Sequence, residues 1–303
     1  MTCPRCGDRG YLVGRDGELA KAEVCECKRE CKTCKGARYV IAREGPYEVA
    51  KPCECAGLMA RVRLYNDAQI PAGYADKSLV PSGPNDPHGF VHRDIESLKR
   101  AKAAVSRYSM SLDVSSRTDT GENTSQGLVL MGGYGLGKTH LVCSLLATLT
   151  LKRGIACRFV DYYTLLSRIR ATFDKGGERE RTGDTEQGLI DPLVEVPVLV
   201  IDDLGKGQGS HWELTILDQI VTRRYNAKRI IIATTNYLLE KDLEQVGHHP
   251  GAGAQGGPRR GRRTGESLEE RIGERLVSRL HASCDMLLLD GSDYRVTGPR
   301  ASR

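Results

Sequence analysis

From Gly127 onward, apolar and polar positions alternate between two periods. The short apolar runs GLVLM (127–131), ACRFV (156–160), VPVLVI (196–201) and RIIIATT (229–235) predict buried strands. Between them, apolar residues recur at three- and four-residue intervals from Lys138 through THLVCSLLATLTLK, from Tyr162, and across about 212–226, and each stretch predicts a helix. Strands alternating with helices predict a parallel sheet covered by helices, an α/β fold. Upstream, 58–68 and 93–107 show helical spacing, the second under a charged face, with a proline turn in QIPAGYADKSL and a loop composition in PSGPNDPHG (81–89). Two stretches carry no period. Residues 108–126, mostly MSLDVSSRTDTGENTSQ, are Ser/Thr-rich and expected to be mobile, and 247–266, GHHPGAGAQGGPRRGRRTGE, reads as a flexible Gly/Arg-rich loop.

The first 55 residues follow a different rule, repetition. Eight of the eleven cysteines lie here, and a shift of 28 residues carries Cys3, Cys6, Cys25 and Cys27 onto Cys31, Cys34, Cys53 and Cys55. Each unit is C-x2-C-x18-C-x-C and reads as a cysteine knuckle, a short strand, a turn at Gly17 or Gly45, and a return to a second knuckle. Tyr11 falls on Tyr39, Arg15 on Arg43 and Ala22 on Ala50, while Leu12 and Val13 become Val40 and Ile41. The chain therefore divides into a duplicated cysteine domain (1–57), a helical linker (58–107), the polar segment (108–126) and an α/β core (127–303).

Composition narrows the chemistry of the cysteines. With 39% hydrophobic and 28% charged residues the chain is an ordinary soluble globular protein. No apolar run approaches the roughly 18 residues of a membrane helix, and MTCPRCGDRG lacks the apolar stretch of a signal peptide. A cytoplasmic protein is expected, in which crowded thiols stay reduced and hold metal more often than they form disulfides. Four thiolates in two close pairs suit tetrahedral zinc, whose binding supplies folding energy that a 25-residue hairpin cannot obtain from packing. Two zinc ions are expected, in all-cysteine sites, because the first histidine is His88. Two pairings remain open. Each repeat can close its own site, or Cys3, Cys6, Cys53 and Cys55 can form one site around an inner four, an arrangement that resembles the cysteine-rich module of a chaperone family. The formal charge of +6 leans toward nucleic acid without deciding it.

The sharpest motif is GGYGLGKT (132–139), a G-x4-G-K-T match between an apolar strand and an amphipathic helix. Gly132, Gly133, Gly135 and Gly137 let the backbone wrap a phosphate, Lys138 reaches the outer phosphates of ATP, and Thr139 offers a hydroxyl to Mg2+. VPVLVIDDLG supplies the acidic half: Asp202 emerges from a buried strand to hold Mg2+, and Asp203 can polarise the attacking water. Asn236, at the end of RIIIATTNY, is in position to orient that water.

VLVIDDLG, HWELTILDQIVTRRYNAKRIIIATTNY and ERLVSRLHASCDMLLLDGSDYR together resemble the AAA+ ATPases of the DnaC/DnaI helicase-loader and IstB transposition-helper group. The resemblance covers about residues 60–298, with RLYNDAQIPAGYADKSL similar to the family's approach to its ATPase core. It implies an AAA+ core with Mg2+-dependent ATP hydrolysis. It also implies an arginine finger at Arg279, with Arg275 the alternative, that crosses to a neighbouring copy, a sensor at Asn236, and a second nucleotide-sensing position at Arg295. Two departures stand out. Asp203 occupies a position where many AAA+ proteins carry glutamate, which implies slow, switch-like hydrolysis, and the 247–266 loop is longer than usual for the family.

Such a loader does not unwind DNA. It self-associates with ATP at the subunit boundary and holds a hexameric replicative helicase while single-stranded DNA enters, with the cysteine domain docking the helicase. KRECKTCKGAR also carries charge suited to nucleic acid, and in TLLSRIRATF the residues Arg168, Arg170 and Phe173 are spaced for contact with single-stranded DNA. An IstB-type helper that recruits a transposase to DNA is the alternative function, and a non-hydrolysing, zinc-dependent DNA adaptor is a third. No membrane partner is expected.

Overall fold

The computed structural model describes residues 3–28, 31–79, 89–90, 95–112, 127–173, 185–247 and 266–297. All but the last residue of the predicted loop 81–89, most of the polar segment 108–126 and nearly all of the 247–266 loop lie outside the described residues, as does the side chain of Phe173.

Each cysteine unit folds into a two-stranded antiparallel hairpin, β1 (Tyr11–Asp16) with β2 (Leu19–Val24), and β3 (Tyr39–Glu44) with β4 (Tyr47–Pro52). The turns place Gly17 and Gly45 at φ of 59° and 64°, the geometry of a two-residue hairpin loop that only glycine adopts freely. Helix α1 (Glu54–Asp67) starts four residues before the predicted 58, inside the second unit, so Cys55 sits in its first turn. At the matching place in the first unit there is a single 3-10 turn, Glu26–Lys28. A cleft of about 520 Å³, lined among others by Val24, Lys28, Arg38 and Met59, separates the two units. Helix α2 (Glu96–Ser111) runs four residues past the predicted end, because Leu112 is buried and so is the small Ser109, whose hydroxyl is satisfied by the Ser106 carbonyl, so the inward-facing stripe continues.

The core is a five-stranded, wholly parallel sheet in the order β6–β7–β8–β5–β9: β5 (Gly127–Gly132), β6 (Cys157–Asp161), β7 (Val198–Asp202), β8 (Ile230–Thr235) and β9 (Cys284–Leu289). Alternate residues serve opposite faces. Leu128, Leu130, Val198, Val200 and Ile232 pack toward α1, α2 and α3 (Lys138–Leu151). Val129, Met131, Leu199, Ile201 and Ile231 pack toward α4 (Tyr162–Phe173), α5 (Glu186–Glu195) and α6 (His211–Asn226), and toward three further helices, α7 (Glu240–Gly247), α8 (Leu268–Ile272) and α9 (Glu274–Ser283). A short α10 (Tyr294–Thr297) follows β9. Both faces are covered, which is why the central strands β5, β7 and β8 are buried throughout and read as near-continuous apolar runs, while the edge strands β6 and β9 are buried only in part. Among the described residues no helix is long and apolar enough to cross a membrane.

Candidate functional site

The carboxyl ends of β5, β7 and β8 converge, and β8 lies between the other two. That order lets one strand address both halves of the site. Lys138, the first residue of α3, is buried and donates to the carbonyls of Gly132 (2.9 Å) and Gly133 (2.8 Å) and to Oδ1 of Asn236 at the end of β8 (2.7 Å). Thr139 Oγ1 donates to both oxygens of Asp202 at 3.1 Å, and Thr234 Oγ1 donates to Asp202 Oδ1 at 2.5 Å. Asp203 accepts from Asn236 Nδ2 (3.3 Å) and pairs with Lys206 (2.9 Å), and its own amide donates to Thr234 Oγ1.

Burial sets the electrostatics. It pushes the Lys138 ammonium down to about 8 against the pull of Asp203 and Asp202. It pushes Asp202 up to about 6, with the hydroxyls of Thr234 and Thr139 holding the carboxylate form against it. A buried cation and carboxylate that both resist charging are stabilised by ligands of opposite sign, here a phosphate chain and a divalent cation. The hydroxyl of Thr139 and the carboxylate of Asp202 are hard oxygen donors of the kind Mg2+ takes.

The phosphate loop is shaped by close neighbours. A Cβ on Gly137, at φ 81°, would lie 2.5 Å from Phe90 Cε2, and one on Gly135, at φ 70°, would lie 1.7 Å from Asp293 Oδ1. The Gly135 carbonyl also accepts from the Tyr294 amide, fixing the loop to the start of α10. Arg295, exposed on α10, is near enough for its charge to lower the Lys138 pKa. Thr234, Phe90 and Asp293 were not expected from the sequence. The TTN run ending β8 was the available signal for Thr234, whereas Phe90 and Asp293 come from distant segments with no motif.

Arg279 and Arg275 lie on α9, where both face Asp218 of α6. Arg279 Nη1 bonds its Oδ1 at 2.9 Å, while Arg275 approaches at 3.8 Å and is 71% exposed. Arg168 and Arg170 lie on α4, and Arg170 stacks over the Trp212 ring at 5.1 Å and reaches Glu213. Arg271 of α8, also unforeseen, donates to the carbonyls of Gly205 and Gly207 beyond β7 and stacks on Tyr237, the residue after Asn236.

The cysteines gather by repeat: Cys3, Cys6, Cys25 and Cys27 form one cluster, and Cys31, Cys34, Cys53 and Cys55 the other. The interleaved alternative does not fit, because each hairpin returns its own second pair to its own first knuckle. The sulfur separations of 4.0 and 3.5 Å in the first and 3.6 and 3.4 Å in the second are far longer than a disulfide. They bracket the edge of about 3.8 Å of a tetrahedron with Zn–S of about 2.3 Å. Amides of Cys6 and Arg5 bring the Cys3 thiol down to about 7, and those of Cys34 and Thr33 bring Cys31 down to about 6, while Cys27 and Cys55, hydrogen-bonded to the sulfurs of Cys6 and Cys34, are pushed up to about 12. A divalent cation is what makes four adjacent thiolates compatible, so the donor sets fit zinc.

A phosphate loop at the end of one parallel strand, an Asp at the end of a second and a polar sensor on the strand between them define a P-loop ATP-binding protein of the AAA+ fold. The family model described as IstB-like ATP binding protein matches residues 93–247, and the chain belongs to that family. It is 31% identical over 119 residues to the replicative helicase loader DnaC of Escherichia coli K12, a match that takes in 39% of this chain and 46% of that protein. It is 33% identical over 101 residues to DnaC of Buchnera aphidicola subsp. Baizongia pistaciae, covering 33% of this chain and 39% of that protein. The chain thus spans less than half the length of these curated relatives. A crystal structure of the DnaC helicase loader superposes with a TM-score of 0.51 at 24% identity, over 72% of this chain and 99% of that one, and shares the fold.

Proposed function

We propose that the protein is an ATP-dependent loader of a replicative DNA helicase onto single-stranded DNA. The observation that carries this reading is the joined set Lys138, Thr139, Asp202 and Asn236 in a chain whose named relatives are helicase loaders, which favours the loader over the transposition helper. When ATP binds, Lys138 exchanges its carbonyl and amide acceptors for outer phosphate oxygens, and the amides of Gly133 to Lys138 wrap the chain of phosphates. Thr139 and Asp202 hold Mg2+, which supplies charge neutralisation on the phosphates. Asp203, steadied by Asn236 and Lys206, accepts a hydrogen bond from the attacking water. Hydrolysis is slow because this carboxylate is short and already ion-paired.

The finger is Arg279, with Arg275 second, reaching the nucleotide of a neighbouring copy after leaving Asp218, so that self-association reads out ATP. Arg295 senses nucleotide from the far side of the pocket. Arg168 and Arg170 contact single-stranded DNA. Two zinc ions hold the cysteine units, and the first 57 residues form the helicase-docking domain.

The test is ATP turnover by the full chain, alone and with the replicative helicase of the same genome and a single-stranded oligonucleotide. Stimulation by both, falling at least 100-fold in Lys138→Ala, is expected. Turnover and assembly that ignore both helicase and single strand would sink the loader reading.

A further inference from the structure

We propose that the second cysteine unit seats an amphipathic, acid-flanked α-helix of a protein partner on the hairpin face formed by Tyr39, Ile41, Ala50 and Pro52. The duplication itself shows what this face takes. In the first hairpin the register pairs Tyr11 with Val24 and Val13 with Ala22, so these four share a face. That face is closed by a helix of the same chain: Tyr11 is 8% and Ala22 2% exposed, clustered with Leu58, Val62 and Tyr65 of α1. The edge strand takes part too, since the outward amide of Ala22 donates to Asn66 Oδ1 (2.7 Å) and its carbonyl accepts from Asn66 Nδ2 (3.1 Å).

The second hairpin repeats the register, Tyr39 with Pro52 and Ile41 with Ala50, yet Tyr39 is 52% and Ile41 59% exposed and Ala50 and Pro52 are open as well. Ala50 holds the edge position of Ala22, and among the described residues no helix lies over it. The second unit therefore presents the apolar face and the strand edge that hold α1 in the first, with the helix missing. An i, i+4, i+7 apolar stripe such as Leu58, Val62 and Tyr65 is the shape that fits.

Charge specifies the flanks. Between Cys3 and Cys25, four cations meet four carboxylates, whereas between Cys31 and Cys53 the sequence holds five cations, Lys32, Lys35, Arg38, Arg43 and Lys51, against two carboxylates, Glu44 and Glu48. The helix received here is thus acidic on its borders. The face itself is not suited to nucleic acid, because Arg43 stands directly opposite Glu48 and its centre is aliphatic.

The partner is the helicase, so the proposal rests on the loader reading. The experiment measures binding of the full, zinc-loaded chain to the replicative helicase of the same genome and to a 30-nucleotide oligo-dT, for the wild type, Ile41→Asp and Tyr39→Ser. A photo-crosslinking residue at position 39 maps the contact independently. At least tenfold weaker helicase binding in both variants, with zinc content and ATP affinity unchanged and the crosslink on a helix of the helicase, is the expected result. Unchanged helicase binding in the variants, loss of oligo-dT binding instead, or a crosslink to a second copy of the chain overturns this face while leaving the loader reading standing. A wild-type chain that does not bind the helicase overturns both.

Discussion

Gly137 turns into α3 at φ 81° with the Phe90 ring against it, so the shape of the phosphate loop depends on a residue 47 positions upstream. Gly133, by contrast, has nothing within 4 Å of an added Cβ. Gly137→Ala is therefore expected to cost about 1 kcal/mol or more in backbone strain, before the clash with Phe90 is counted, and to weaken ATP binding at least tenfold. Gly133→Ala should leave the stability of the ligand-free protein unchanged. Thermal melts and titration with a fluorescent ATP analogue check both. Lys138, Thr139, Asp202 and Asn236 were legible because each sits at a fixed offset from a strand end. Thr234, Phe90 and Asp293 were not, because a side chain that closes a site from another segment leaves no local spacing to read.

Arg224, in the last turn of α6, is completely buried and donates to the carbonyls of Leu193, Val194, Val196, Pro197 and Ile230. It ties the end of α5, the start of β7 and the start of β8 into one block, so the strands bearing Asp202 and Asn236 keep their relative height. Burial without a carboxylate pushes its pKa down to about 9. Arg224→Met should destabilise the fold by about 3 kcal/mol or more, since it leaves several buried carbonyls without donors, and Arg224→Lys should recover only part because an ammonium has three donors. Urea unfolding of the two variants measures this. The four strands from Gly127 to Thr235 were legible as apolar runs bounded by turns. The fifth, Cys284–Leu289, was not: it follows Ser283 of α9 with no glycine, proline or loop between, so nothing in the chain marks where helix becomes strand.

Across the whole molecule, one duplicated sequence has two fates. The repeat in the cysteines was legible to the residue, and so was the hairpin in each unit, but which hairpin joins the core was not, since Tyr11 and Tyr39 look alike in sequence and differ only in what covers them. This difference has a measurable consequence. Cys6→Ser and Cys34→Ser should each lower bound zinc from two equivalents to one, read by elemental analysis. Only Cys6→Ser should also lower the melting temperature of the ATP-binding core, because the first hairpin caps Leu58, Val62 and Tyr65, while among the described residues the second covers no part of the core. Equal shifts in the core melt would contradict the packing described. Helix α1 ties these fates together. Cys55 stands in its first turn, and at its far end the carbonyls of Asp67 and Ala68 accept from Arg158 and Phe159 of β6, the strand beside β7. A rod of about 21 Å thus runs from a thiol cluster to the edge of the sheet, giving any movement of the outer unit a direct path to the strand beside Asp202.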